Sequence, residues 1–146
     1  MPMTETDRSV YAAVGLALRW AQLFEAEMVT VLLAHGVAHG EFRVRKEAEE
    51  FLRGAERKSL NRVIKICLDQ VRFEPDVSGT FEEAREARNF LVHQFFGDRA
   101  EEFADDVRHA ELLEELRELT KLFISAHKFA EMLRELYLRQ MPLLEG

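Results

Sequence analysis

The residues best suited to chemistry lie in the middle of the chain, in the stretch 88–93, which begins with Arg88 and ends with His93. An arginine can hold a phosphate through two parallel hydrogen bonds. A histidine can accept or release a proton near neutral pH. Together, the two side chains indicate acid–base chemistry at a phosphate, provided that the fold brings them to one substrate.

The helix that carries this stretch places a charged residue at an unusual position on its helical wheel. At roughly 100° per residue, Arg88 falls in the middle of an apolar stripe. The stripe contains Phe81, Ala84, Leu91, Val92 and Phe95. A guanidinium at a core position is costly unless an anion or several acceptors meet it. Either a carboxylate of another helix therefore pairs with Arg88, or the side chain faces a site for a phosphate.

His93 shares a face with Asn89 and lies roughly 140° from Arg88 on an ideal helix. This placement suits a cleft that grips one substrate from two sides, especially if a second copy of the helix faces it across a two-fold axis. The structural alternative is an arginine in a core ion pair and a histidine at a helix end. The spacing alone does not choose between them, because it occurs by chance in many helical proteins.

The net charge of −7 argues against a general nucleic-acid-binding protein of the basic-patch kind. Basic residues are nevertheless concentrated between Arg43 and Arg72, where nine Lys or Arg accompany five Asp or Glu. Such a run is usually a solvated helix face, but it can also guide a polyanion. The candidate substrate-binding residues are Arg57, Lys58 and Arg62 in this run, and Arg85 beside the central stretch.

Metal and redox chemistry have little support in the sequence. His35 and His39 have the spacing of a metal pair, but Gly36 interrupts it and no further Cys or His follows nearby. Cys67 is the single cysteine, which excludes an intramolecular disulfide and fits a reducing cytoplasm. Its place on an apolar stripe indicates a buried small hydrophobe rather than a nucleophile. We therefore predict no metal site and no cofactor.

The elements that must position these residues are almost all helical. The 146 residues suffice for a single domain, 1–146, and contain only seven Gly and three Pro. The opening has no pattern of a secretory signal, and no apolar run reaches the ~18 residues of a membrane span. We predict an all-α, up-and-down bundle of three long helices plus a short helix.

Helix ends follow from capping signals. Thr4 or Thr6 is expected to cap a first helix over 7–35, which Gly36 and Gly40 end. A second helix is predicted over 44–71, followed by a loop over 74–79. Thr80 is then expected to cap the third helix. Residues 97–98 are expected to break or bend the chain after it. A short helix over 99–104 and a long one over 107–141 complete the chain.

The stretch 87–98 resembles the corresponding strip of HepT-type toxins of the HEPN superfamily, whose hallmark is R-x4-6-H with Asn, Asp or His after the Arg. The resemblance implies a HEPN-like fold and a metal-independent endoribonuclease that leaves a 2′,3′-cyclic phosphate. It implies that His93 is the general base or acid, that Arg88 holds the phosphate, and that Asn89 positions one of them. It also implies a homodimer in which two motifs face a shared cleft.

One position departs from the pattern. HepT-type toxins carry R-x4-H-x-Y, and a partner nucleotidyltransferase can modify that Tyr to silence them, whereas this chain has Phe95 there. Our leading hypothesis is a cytoplasmic HEPN-type ribonuclease that acts as a toxin or in phage defence, with an antitoxin as a possible partner. The alternative is a non-catalytic helical module that dimerises and binds a partner protein or a nucleotide, or works with a nucleotidyltransferase.

Overall fold

The computed structural model describes residues 3–40, 45–57, 62, 65, 67–69 and 71–140, and these residues contain no strand. The helices are α1 (Glu5–Ala38), α2 (Arg45–Arg57), α3 (Pro75–His93), α4 (Phe95–Asp98), α5 (Ala100–Ala104), a 3-10 helix (Asp106–Arg108) and α6 (His109–Gln140). The chain is therefore an all-α bundle, as predicted. None of the described helices is long and apolar enough to cross a membrane.

Helix α1 begins with the predicted capping box. The Thr4 hydroxyl accepts a hydrogen bond from the Asp7 N–H, and the Asp7 carboxylate accepts one from the Thr4 N–H, at 3.1 and 3.0 Å. The predicted end at Gly36 is wrong, because Gly36 is buried inside the helix and α1 continues to Ala38. Gly40, with a φ of 72°, is the left-handed residue that follows the end.

Helix α3 begins six residues earlier than predicted, because its N-cap is Glu74 and not Thr80. Pro75 is its first residue, so the predicted loop over 74–79 is wrong beyond its first position. Thr80 is not a cap, since its hydroxyl donates to the Asp76 carbonyl at 2.9 Å within the helix. A proline is favoured at the first helical position because its fixed φ suits the helix and its missing N–H is not needed there. The same residue that indicated a turn thus starts the helix.

The remaining boundaries agree with the prediction to within a few residues. Helix α5 matches the predicted short helix, and α6 begins two residues later than predicted, after the 3-10 turn. The predicted second helix corresponds to α2 and to the helical residues 67–69. The rest of that prediction, over 58–66, lies largely outside the described residues.

The two longest helices, α1 and α6, pack along each other in the same direction. Asp7 lies beside His109 near the start of both helices, and Trp20 meets His127 further along, with ring centroids 5.6 Å apart. Helix α3 runs the opposite way along α1, because Phe81 contacts Phe24 whereas the chain beyond α3 returns to the beginning of α1. Helix α3, which carries Arg88, Asn89 and His93, thus packs against both long helices.

One apolar cluster fills the space between these helices. Its largest fully buried members are Phe24, Phe81, Phe95, Phe123, Met28, Leu91, Leu112 and Leu116. Burying such side chains contributes roughly 1.5–3 kcal/mol each relative to leaving them exposed. The four phenylalanines come from α1, α3, α4 and α6, so the core fixes the position of the motif helix relative to its neighbours.

Cys67 is fully buried, which confirms its prediction as a core residue. Burial raises the pKa of its thiol to about 12, so almost none of it is thiolate at neutral pH. We expect no reaction of native protein with iodoacetamide at pH 8 and complete reaction in denaturant, measured by intact mass. Rapid modification of the native protein at the same pH would show that the thiol is accessible.

Candidate active site

Helix α3 carries all three motif residues, and α1 supplies a partner for the first of them. Arg88 Nε forms an ion pair with Glu25 Oε1. The Glu25 side chain is 2% exposed and that of Arg88 is 20% exposed, so the contact is largely withdrawn from water. The first of the two possibilities raised by the wheel is therefore observed: a carboxylate of another helix pairs with Arg88.

Glu25 is a buried acid within the apolar face of α1. Burial raises its pKa, and the charge and hydrogen bond of Arg88 lower it in part. Desolvation penalises the ionised carboxylate, whereas the guanidinium stabilises it. The pair therefore holds Arg88 in a fixed place, and each partner depends on the other for compensation of its charge.

Asn89 makes a second contact with the same guanidinium. Arg88 Nη1 donates to Asn89 Oδ1 at 3.4 Å. The guanidinium thus meets Glu25 through Nε and Asn89 through Nη1, and an arginine carries five N–H donors in all. With the Nε side turned to the core, the terminal nitrogens are the part of Arg88 suited to a phosphate oxygen.

His93 is the last residue of α3 and is exposed. It has no hydrogen bond or ion pair with any described residue. The helix breaks directly after it, at Gln94, whose φ and ψ are −125° and −28°. The predicted break at 97–98 is therefore wrong in position, since those residues belong to α4. An exposed imidazole at the end of a helix is open to a substrate.

The apolar stripe of α3 is confirmed at most positions and wrong at one. Phe81, Ala84 and Leu91 are buried, and Phe95 is buried just beyond the break. Val92 was expected in the core but is 43% exposed. It lies at the edge of the stripe on the helical wheel.

The structure describes the side chains of two of the four predicted substrate-binding residues, Arg85 and Arg62. Arg85 donates to Glu82 one turn away, at 2.6 Å, and this hydrogen bond raises the pKa of its guanidinium. Arg62 is exposed, and the backbone of Arg57 ends α2. The side chain of Arg57 and the whole of Lys58 lie outside the described residues. Their role in binding stays a prediction.

A group of aromatic rings beside the motif was not foreseen. Tyr11 of α1, Phe96 of α4 and Phe103 of α5 form an aromatic patch, in which Phe96 is nearly parallel to both other rings at centroid distances of 6.5 and 5.2 Å. Tyr11 is 48% exposed and Phe96 is 47% exposed. Because α4 starts two residues after His93, the patch lies at the same end of the bundle as the imidazole.

The histidine pair at the other end of α1 packs through its rings. The rings of His35 and His39 stack with centroids 4.0 Å apart, and Tyr137 meets the His35 ring edge-on at 5.5 Å. His39 Nδ1 lies 2.9 Å from the His35 carbonyl oxygen. One ring nitrogen of the pair is thus engaged with the backbone.

We compared the chain with models of known protein families, with curated proteins and with solved structures, and none of the three comparisons found a match.

Proposed function

We propose that the chain is a metal-independent endoribonuclease of the HEPN type that works as a homodimer. The observation that carries the proposal is the construction of the end of α3. Arg88 is fixed by a buried carboxylate and by Asn89, while His93 is exposed and uncommitted among the described residues one and a half turns later. This arrangement is expected when one residue is held in place to bind the phosphate and another is accessible for proton transfer.

In this mechanism the ribose 2′-OH attacks the adjacent phosphate. A bond forms between the 2′ oxygen and phosphorus, the bond from phosphorus to the 5′ oxygen breaks, and the products are a 2′,3′-cyclic phosphate and a 5′-OH. His93 removes the proton from the 2′-OH or gives one to the leaving oxygen. Arg88 stabilises the extra negative charge on the phosphate in the transition state, and Asn89 keeps the guanidinium oriented.

A second copy of the chain supplies a second proton-transfer group. Two are needed, because the attacking 2′-OH loses a proton and the leaving 5′ oxygen gains one. The exposed apolar side chains beside the motif, Val92, Phe96 and Tyr11, support an interface there. With two motifs in one cleft, one His93 acts as base and the other as acid.

This interface gives a prediction. We expect Phe96→Glu to convert the dimer to a monomer and to abolish cleavage, since it places a charge in an apolar contact. Light scattering coupled to size exclusion measures the mass, and Met132→Glu is the matched control because Met132 is 66% exposed on α6. A Phe96→Glu variant that remains dimeric would place the interface elsewhere.

The rival function is a non-catalytic interaction module, and one observation favours it. The Arg88–Glu25 pair satisfies the arginine without a phosphate, as expected if the residue serves the fold. In this case the aromatic patch and Val92 bind a partner protein, such as an antitoxin or a nucleotidyltransferase. Phe95 stands at the position of the tyrosine that is modified in HepT-type toxins. It has no hydroxyl to modify and it is fully buried, so we expect no modification at this position.

Incubation of the full chain with total RNA and purified tRNA in EDTA tests the proposal. We expect fragments that carry 2′,3′-cyclic phosphate and 5′-OH ends. The 3′ ends should resist ligation after phosphatase alone and become ligatable after acid followed by phosphatase, and the 5′ ends should accept a phosphate directly. Intact RNA in the presence of a folded protein, as judged by circular dichroism, would favour the interaction module instead.

A further inference from the structure

A cavity of about 760 Å³ lies between the end of α6 and the segment that leads into α3, and it is partly open to solvent. Small-molecule sites in proteins have volumes of roughly 300–1,000 Å³ and mostly apolar walls. The apolar side chains that line this cavity are Phe73, Val77, Phe129, Met132, Leu133 and Leu136. Its size and its lining are therefore those of a site for a small molecule with an apolar body.

Helix α6 has two apolar faces near its end. Ala126 and Ala130 are fully buried and belong to the core. A second face recurs at three and four residues through positions 129, 132, 133 and 136, and it lines the cavity. Met132 is 66% exposed and Leu136 is 48% exposed, so the described part of the chain leaves much of this face open. An apolar molecule in the cavity would remove this surface from water, which favours binding.

The charged residues at the edge of the cavity favour an anion. Arg72 and Arg139 border it and are exposed, and neither forms an ion pair or a side-chain hydrogen bond with a described residue. Glu135 also borders it, but its carboxylate lies 3.4 Å from Arg134. Glu74 borders it too, and its side chain does not cap α3. Among the described residues, two unpaired guanidinium groups thus outnumber one unpaired carboxylate at this edge.

The directions of the helices place both arginines toward one end of the cavity. Helix α3 runs opposite to α6, so a residue that precedes Pro75 lies toward the end of α6. Arg72 precedes Pro75 by three positions, and Arg139 is in the last turn of α6. Phe129 lies ten residues before Arg139, which is roughly 15 Å along the helix. The cavity therefore combines an apolar floor of this length with a cationic end.

We propose that the cavity binds a free long-chain carboxylate, with its aliphatic chain on the apolar face of α6 and its carboxylate beside Arg72 and Arg139. A guanidinium donates two parallel hydrogen bonds to a carboxylate. A polyanion such as RNA would match the arginines but not the apolar floor. The proposal does not rest on ribonuclease activity, because Val77 at the cavity and His93 are 16 residues apart, roughly 24 Å along α3.

The test is isothermal titration calorimetry of the full chain with octanoate, decanoate and dodecanoate, each below its micelle concentration. We expect one site per chain and an affinity that rises about tenfold for each pair of added CH₂ groups, because burial of one CH₂ gives roughly a three- to fourfold gain. Dodecanol and dodecyltrimethylammonium carry the same chain with a neutral and a cationic head. They should bind about tenfold or more weakly than dodecanoate, since they lose the hydrogen bonds to a charged acceptor.

Matched variants separate the apolar floor from the cationic end. Leu136→Glu should lower the affinity for dodecanoate by about tenfold or more, because it places a carboxylate in the floor. Its control is Leu138→Glu, since Leu138 is 46% exposed on the same helix and does not line the cavity. Arg139→Gln should weaken the binding of dodecanoate about tenfold and leave that of dodecanol unchanged. Its control is Arg117→Gln, at an exposed position of α6 outside the cavity, which should bind dodecanoate as the wild type does.

Absence of dodecanoate binding by the wild type, equal binding of dodecanoate and dodecyltrimethylammonium, or equal losses in Leu136→Glu and Leu138→Glu would each overturn the proposal. Binding to phosphatidylglycerol vesicles without binding of monomeric dodecanoate would also overturn it, and would assign the cavity to a membrane surface. The same holds if light scattering without ligand gives a smaller mass for Leu136→Glu than for the wild type, which would assign the cavity to a second copy of the chain.

Discussion

Replacement of His93 by alanine is expected to lower the rate of RNA cleavage by about a thousandfold without loss of folding. General acid–base catalysis contributes typically 10²–10⁴ in rate, and an alanine cannot transfer a proton. His93 is exposed and makes no hydrogen bond or ion pair with a described residue, so its removal leaves no unsatisfied partner. We therefore expect a Tm within about 2 °C of the wild type, since surface substitutions usually change stability by less than 0.5 kcal/mol.

The matched control for this variant is Gln94→Ala, one residue further along. Gln94 is also exposed and lies at the same helix end, but it cannot act as an acid or base at neutral pH. Single-turnover cleavage of one tRNA should be unchanged in this variant. Equal cleavage by wild type, His93→Ala and Gln94→Ala would mean that the activity belongs to another site or to a contaminant.

The sequence predicted the helices better than their beginnings. The Thr4–Asp7 capping box is a local signal of four residues, and it is present in the structure. Pro75 is equally local but ambiguous, because proline suits both a turn and the first position of a helix. The buried face of α6 packs against α1. The apolar periodicity predicts each of these helices, but it does not show which other helix each one packs against.

The candidate site shows the same limit. The wheel placed Arg88 among core positions and demanded an anion, and the apolar face of α1 contains one acid, Glu25, next to Phe24. The sequence therefore predicted that Arg88 needs an anionic partner, but it did not predict which residue supplies the carboxylate. The contact between Asp7 and His109 was not predictable from the sequence, since the residues are about a hundred positions apart and meet only because two helices begin side by side.

The Arg88–Glu25 pair gives the second large prediction. Arg88→Met should destabilise the protein by about 3–5 kcal/mol at pH 8, because it leaves a buried carboxylate without its counter-charge. The matched control is Arg134→Met, which breaks the ion pair with Glu27 at 2.6 Å. The carboxylate left behind, Glu27, is 16% exposed against 2% for Glu25, so solvent screens it better and a smaller effect is expected. Urea unfolding at 25 °C measures both changes.

The dependence of this loss on pH follows from the pKa of Glu25. Burial already raises that pKa in the folded wild type, and removal of Arg88 takes away the influence that lowers it. A carboxyl whose folded pKa is raised contributes stability that is full below its unfolded pKa and is lost as the pH rises through the folded pKa. The deficit of Arg88→Met relative to wild type should therefore be small near pH 4 and largest at pH 8. A deficit that is constant over this range would show that the removal of Arg88 leaves the pKa of Glu25 unchanged.

The double variant Glu25→Met/Arg88→Met separates the two readings of the arginine. Replacement of a buried ion pair by apolar side chains of similar volume is often neutral or stabilising, so we expect stability close to that of wild type at pH 8. If Arg88 holds the phosphate, this stable protein cleaves RNA at least a hundredfold more slowly than wild type, since a donor that stabilises transition-state charge is worth about 10²–10³ in rate. If it cleaves at the wild-type rate, Arg88 serves the fold alone and the proposed assignment of the phosphate ligand is wrong.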